Sequence, residues 1–176
     1  MAGSTRRGRK AQPVPVLRGR RVTLRPYRME ELERVLEGTR GLPEESSPWG
    51  PPSRERLRRR MRSSGRLWRG RVVLAMEVRG RLIGEIQTYR VKEMPPGTVG
   101  LGIMIFEADD RGRGHGTEAI RTFGDWIFSS GVASRIEAGT RPSNAAMRRS
   151  FAKTAWRELG VKRYRGVDFV SYERLR

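Results

Sequence analysis

The spacing of apolar residues changes several times along this chain, and each change predicts an element. Arg21-Val22-Thr23-Leu24-Arg25 alternates apolar and polar positions, the period of a strand. Met29, Leu32, Val35 and Leu36 fall on one helical face. Residues 38–53 are rich in Gly, Pro and Ser and read as a loop. Ser53 then reads as the N-cap of a very basic helix running to about Ser63, with Leu57 and Met61 on its apolar side. Val72–Val78 and Leu82–Tyr89, joined through Arg79-Gly80-Arg81, have the signature of a β-hairpin. A turn over 91–97 leads into Thr98–Phe106, where Gly100 and Gly102 mark a bulge or a close backbone approach. After a loop at 107–113, Gly114–Phe128 predicts a helix whose apolar face is Ala119, Ile120, Phe123, Trp126 and Ile127, stopped by Gly131. Ser134–Thr140 reads as a strand and Asn144–Leu159 as a helix, with closing strands at Val161–Tyr164 and Val167–Tyr172. The order of elements predicts an α/β (α+β) fold, a mixed sheet with helices on both faces.

Composition narrows the picture. The 176 residues suit one domain. There is no cysteine, which excludes disulfides, thiolate nucleophiles and zinc–thiolate sites. No apolar run has the length of a membrane span, and no apolar stretch follows the first ten residues, so a cytoplasmic protein without membrane contact is expected. The formal net charge is +19, carried almost entirely by arginine. Residues 1–19 hold Arg6, Arg7, Arg9, Lys10 and Arg18, no acid, and Pro13 and Pro15. They read as a disordered basic arm preceding a folded domain over 20–176. Such charge suits contact with a ribosome or nucleic acid, or else a simply solvated arginine-rich surface.

The candidate chemistry lies in Arg111-Gly112-Arg113-Gly114-His115-Gly116-Thr117, between a predicted strand and a predicted helix. Glycine at every second position lets the backbone approach a bulky anion and leaves successive amide hydrogens free to form a nest. The helix N-terminus adds partial positive charge, and Arg111 and Arg113 can add more. This is a site for phosphate or pyrophosphate. The spacing is not G-x-G-x-x-G, and no lysine stands where a nucleotide-triphosphate loop needs one.

Gly102-Ile103-Met104-Ile105, followed six residues later by Gly112–Ile120, resembles the GCN5-related N-acetyltransferase superfamily, and more narrowly the branch of ribosomal-protein-alanine and spermidine acetyltransferases. Arg111 to Gly116 fits that superfamily's R/Q-x-x-G-x-G/A motif. The resemblance implies a mostly antiparallel sheet of six to seven strands, about four helices, and two central parallel strands that splay apart around acetyl-CoA. It implies that Ile103, Met104, Ile105 and Phe106 pair with the pantetheine arm, and that Arg111, Gly112, Arg113, Gly114, His115, Gly116 and Thr117 hold the pyrophosphate. Asn144 would bind the pantetheine side, and Arg148 or Arg149 an adenosine phosphate unless that helix face is merely solvated. The acceptor would be a primary amine, on a protein N-terminus or a small molecule. Many relatives dimerise, which makes a homodimer an expectation too.

The chain departs from the family where a proton donor belongs. Phe151 stands in place of the usual tyrosine and Met147 in place of the alternative serine. For the base, Glu85 on the strand beside the cofactor strand is the first candidate and Glu137 the second. His115, the single histidine, reads as a loop residue without a catalytic role. Trp49, Trp68, Trp126 and Trp156 read as core or pocket lining. The helix at 54–62 is expected to border the acceptor site, and a wall that basic favours an acceptor bearing negative charge. Three readings stay open: an acetyl-CoA-dependent N-acetyltransferase, a non-catalytic acyl-CoA-binding protein, and a ribosome- or nucleic-acid-associated protein using its basic arm.

Overall fold

A computed structural model describes residues 10–40, 52–164 and 166–176. In chain order these form β1 (Gln12–Pro13), β2 (Leu17–Arg18), β3 (Thr23–Arg25), a 3-10 turn at Met29–Glu31, α1 (Leu32–Arg40), α2 (Arg54–Arg62), β4 (Arg66–Leu67), β5 (Val72–Val78), β6 (Arg81–Tyr89), β7 (Thr98–Ile105), a second 3-10 turn at Ala108–Asp110, α3 (His115–Ser129), β8 (Arg135–Thr140), α4 (Ala145–Ala152), β9 (Arg157–Tyr164) and β10 (Val167–Leu175). The main sheet has eight strands in the order β2-β3-β5-β6-β7-β8-β10-β9. Every pairing in it is antiparallel except β7 with β8. β1 and β4 make a separate two-stranded sheet. No helix among the described residues is long and apolar enough to cross a membrane.

Alternation along the strands divides the core in two. Val72, Leu74 and Met76 of β5 join one apolar cluster with Ile120, Phe123 and Ile127 of α3 and Phe151 of α4. Their neighbours Val73 and Ala75 join the other with Leu32, Val35 and Leu36 of α1 and Leu57 and Met61 of α2. The helices therefore cover both faces, as period two in the strands requires. Ser53 caps α2 as expected, its hydroxyl accepting from the Arg56 N–H at 3.3 Å. Arg25 is buried beneath this second layer, where Nε donates to Glu77 at 2.7 Å and Nη2 to Glu31 at 2.5 Å. Burial works against the Glu31 carboxylate, but the bonds from Arg25 and the Arg28 amide outweigh it and hold the carboxyl below its ordinary range.

Two sequence expectations are corrected. The basic arm was expected to run to residue 19. Residues 1–9 lie outside the described part, but β1 pairs with β4 and β2 with β3. Val14 is buried there because its N–H donates to the Gly65 carbonyl at 2.8 Å and its side chain enters the core. The helix expected over Asn144–Leu159 ends at Ala152. The Thr154 hydroxyl turns back to the Ser150 carbonyl at 2.7 Å, and Ala155 takes φ 58°, so residues from Arg157 onward enter β9.

Gly38 lies inside α1, and a Cβ there would run into the Phe106 ring. Gly38→Ala gains about 1 kcal/mol of helix propensity and meets about 1–3 kcal/mol of overpacking. The clash dominates because the ring is itself buried. A lowered midpoint in urea unfolding is expected for this variant.

Candidate functional site

The parallel pair β7–β8 holds together for only three residue pairs, Thr98 with Arg135, Val99 with Ile136 and Gly100 with Glu137. Beyond Gly100, β7 runs on to Ile105 bonded to β6 alone. The Phe106 N–H donates to the Ile83 carbonyl at 2.9 Å. Antiparallel alternation then turns the backbone groups of Met104 and Gly102 toward β6, and those of Ile103 and Ile105 toward the gap beside β8. Of the expected backbone set, Ile103 and Ile105 therefore face the fork, while Met104 and Phe106 are spent on the neighbouring strand. Buried backbone groups without partners are rare, so an open fork of this kind is a place for a ligand's own amides.

The glycine loop lies at the far end of β7. Gly112 and Gly114 take φ 72° and 83°, values that favour glycine. Gly114 is the N-cap of α3 and offers no side-chain cap. Among the described residues, the N–H groups of Gly112, Arg113, Gly114, His115, Gly116 and Thr117 have no hydrogen-bond acceptor. Unsatisfied donors at a helix N-terminus, beside its positive dipole end, form an anion site. A Cβ on Gly116 would lie 3.6 Å from Ile105 Cδ1, an ordinary contact, so the start of α3 packs directly against β7.

Arg111 departs from expectation. Its N–H donates to Ala108 at 3.0 Å, and its guanidinium donates to the carbonyls of Ile105 at 3.1 Å and Phe106 at 2.8 Å. It fastens the loop to the end of the strand and leaves no donor of its backbone for an anion. A residue the sequence reading missed takes the place over the loop. Arg21 Nη2 would stand 3.0 Å from a Cβ at Gly114. Glu118 holds it there, accepting from the Arg21 N–H at 2.7 Å and the Val22 N–H at 3.1 Å. The pairing spans 97 residues, which is why no local pattern reveals it. Arg113 is exposed beside the loop. The Thr117 hydroxyl donates to Ser150 at 3.0 Å, tying α3 to α4.

The expected residues of α4 are partly committed elsewhere. Asn144 Oδ1 accepts from the Met147 N–H at 3.0 Å as the helix cap, which leaves its NH2 group free. Arg148 is turned onto Tyr172 at 3.3 Å and Glu158 at 3.7 Å rather than held open for a phosphate. Phe151 is buried, its ring 4.6 Å from Tyr172 and 4.9 Å from Trp156. It is a core side chain.

On the other face of the sheet, Glu85 is 1% exposed. Tyr27 donates to its Oε2 at 2.7 Å and Arg60 to its Oε1, while the same Arg60 nitrogen donates to Gln87 at 2.8 Å. Burial, and then the Glu85 charge, push the Tyr27 phenol well above its ordinary value, so it stays a donor. Both Glu85 oxygens are thus engaged and enclosed, and the first candidate base positions Arg60 instead of meeting an acceptor. Glu137 is placed differently. It belongs to the last parallel pair at the fork, its side chain is 23% exposed, and it pairs with Arg135 at 2.7 Å. Cross-strand register puts Tyr89, Gly100, Glu137 and Glu173 in one row on this face. A Cβ at Gly100 would collide with the Tyr89 ring, so the glycine is what admits the tyrosine beside Glu137.

A family model described as an acetyltransferase (GNAT) domain matches residues 21–157. Comparison with curated proteins finds no significant match. Among solved structures, an acetyltransferase of the GNAT family from Bacillus anthracis superposes with a TM-score of 0.73 at 18% identity, over 92% of this chain and 98% of that one. An aminoglycoside acetyltransferase AAC(6')-Ib in complex with coenzyme A gives 0.72 at 19%, over 88% and 95%. RimL, a ribosomal L7/L12 alpha-N-protein acetyltransferase in complex with coenzyme A, gives 0.72 at 13%, over 93% and 98%.

His115 reports on the loop. It is buried with Nδ1 unpartnered among the described residues. Burial first, and then the Arg21 charge, push it below its ordinary 6.5, against smaller pulls from Asp110 and Glu118. The folded state therefore resists protonation, so this residue's contribution to stability is lost as pH falls below about 6.5. As the single histidine, it gives one imidazole signal in proton NMR. Its midpoint is expected below 6.5, moving upward in Arg21→Gln.

Proposed function

Because this chain belongs to the acetyltransferase (GNAT) family, we propose that it transfers the acetyl group of acetyl-CoA to a primary amine, on a protein N-terminus or a small molecule. The observation that carries this reading is the continuity of two features: a fork lined by the outward backbone of Ile103 and Ile105, and six free N–H groups at its end. The donor set fits a thioester of coenzyme A. The N–H groups of Gly112 to Thr117 and the Arg21 guanidinium match a pyrophosphate. The orphaned His115 Nδ1 lies in the same loop. The Ile103 N–H and C=O and the Ile105 N–H are offered to a pantetheine amide, and the free NH2 of Asn144 supplies one more donor.

Acetyl-CoA supplies a carbonyl carbon activated by its thioester. The rest is positioning. The amine must be neutral to attack; it forms the new N–C bond and gives up one proton as the C–S bond breaks and the sulfur gains one. Glu137, at the mouth of the fork, takes the amine proton directly or through water. Phe151 has no proton to return, and the Tyr172 hydroxyl is already donated to Glu158 at 2.8 Å, so the sulfur is protonated by solvent. No covalent enzyme intermediate is involved. The acceptor side is the α1–α2 face, where Glu85, Gln87 and Glu137 lie. A finer assignment to the branch of ribosomal-protein-alanine and spermidine acetyltransferases rests on the resemblance of Gly102–Ile105 and Gly112–Ile120.

Thiol release from acetyl-CoA in the presence of an amine panel tests the activity; its absence with every amine, despite coenzyme A binding, would leave the non-catalytic reading. Glu137→Gln is expected to lower kcat about 100-fold or more and leave KM for acetyl-CoA unchanged. Gly114→Asp puts a negative side chain at the anion loop. It is expected to weaken coenzyme A at least about 100-fold in calorimetry, at a stability cost of about 1–2 kcal/mol from the left-handed φ. Unchanged affinity would remove the phosphate argument.

A further inference from the structure

A cavity of about 540 Å³ is lined from β5, β6 and the end of α2, and its Gln87 lies on the sheet face that also carries Glu137. Lys10, Arg60, Arg66 and Arg71 line it, with Trp68 and Gln87, and no aspartate or glutamate among the described residues does. Its base touches the cofactor strand. Gln87 pairs with Gly102, and its Nε2 would lie 3.1 Å from a Cβ there. The Arg60 charge is answered from below by Glu85. Lys10 and Arg66 have no acid partner among the described residues, and Arg71 donates only to the Arg90 carbonyl at 2.8 Å. The cavity therefore carries uncompensated positive charge in a recess, where field lines concentrate.

Its walls are built, not loose. Trp68 and Arg71 bond to each other's backbones at 3.0 and 2.9 Å across a two-residue turn, Arg69 and Gly70 both taking positive φ. This turn presents the Trp68 indole, 48% exposed, at the rim. Pairing of Gln12 with Leu67 and Pro13 with Arg66 brings Lys10 to the opposite side. The segment that reads as a free basic arm thus closes the pocket. A volume of this size suits one small molecule or the first residues of a peptide.

We propose that this cavity is the acceptor site and selects a primary amine that also bears a carboxylate or phosphate. The acid group sits among Lys10, Arg66 and Arg71, the body lies on Trp68, and the amine points past Gln87 toward the fork. The inference rests on the acetyl-transfer reading above for the identity of the site, but its charge selectivity is a separate claim. Polycationic amines are repelled. The shared chemistry could come from a free amino acid or aminoalkyl phosphate, or from an acidic peptide N-terminus.

The test uses the full chain with acetyl-CoA and matched acceptor pairs: glutamate against glutamine, phosphoethanolamine against ethanolamine, and peptides beginning Ser-Asp-Glu against Ser-Lys-Lys, with spermidine and kanamycin as polycations. The acid-bearing member of a pair is expected to show at least 10-fold higher kcat/KM, falling with added salt. The pair with the larger ratio identifies the source. Charge reversal in Lys10→Glu with Arg66→Glu is expected to erase or invert the preference and leave coenzyme A affinity unchanged. Equal rates within every pair, or preference for spermidine or kanamycin, would overturn the proposal. If nothing is acetylated, calorimetry of the same amines on the coenzyme A complex decides. Selective binding of acid-bearing members that is lost in the reversal variant upholds the pocket and sinks the transfer reading. Absence of binding by any of them at millimolar concentration sinks the pocket.

Discussion

The fork in this molecule, on which the proposed function rests, depends on two parallel strands that stop pairing after Gly100 and Glu137. A strand that continues without a partner exposes N–H and C=O groups that must find one. β7 can afford this only because its other edge is fully bonded to β6, which is itself bonded to β5. The fork is thus held open by rigidity on one side. Arg111 adds a clamp at the tip of the strand, taking the Ile105 and Phe106 carbonyls with one guanidinium. That same clamp hands the chain into the glycine loop, so the outward backbone of Ile103 and the free amides of Gly112 to Thr117 form one continuous surface.

The two faces of the sheet divide the labour. On the α3–α4 side, apolar packing brings the start of α3 against β7, and Thr117 and Ser150 tie the two helices together. On the α1–α2 side, a buried polar cluster does the positioning. Tyr27, Glu85, Arg60 and Gln87 form a chain of bonds that ties the segment after β3 and helix α2 to β6, the strand beside β7. Removing one member of such a cluster leaves a buried charge without its partner, which costs more than the bond itself is worth. Glu85 is thereby a structural anion that aims Arg60 and, through it, Gln87.

The legible part of this fold was what local spacing governs. The β5–β6 hairpin, the α3 face and the Ser53 cap each follow from residues within a few positions of one another. So does the glycine loop ahead of α3, where Gly112 and Gly114 take the positive φ that glycine favours. What escaped depends on long-range contact. Arg21 reaches the loop through Glu118, and Lys10 reaches a pocket through β1 and β4; in neither case does the neighbouring sequence show the partner. The helix expected to reach Leu159 failed for a local reason that spacing conceals: a Thr154 hydroxyl competing for backbone, with Ala155 in the left-handed region. Glu85 was placed on the strand beside β7, but its burial depends on Tyr27 and Arg60, which lie far from it in the sequence.

Arginine is so abundant here that its number says little, and its partners say nearly everything. Arg25 is buried between Glu31 and Glu77, Arg60 answers Glu85, and Arg111 holds two carbonyls. These side chains are fasteners whose charge is already spent. Lys10 and Arg66 at the pocket have no acid partner among the described residues, while Arg21 over the glycine loop is paired with Glu118 at 3.5 Å. On the proposed reading, positive charge at both the loop and the pocket draws two anionic partners together, and Glu137 receives the amine proton between them. Such a potential also disfavours the protonated form of an amine relative to the neutral form, and the neutral form is the one the proposed transfer needs.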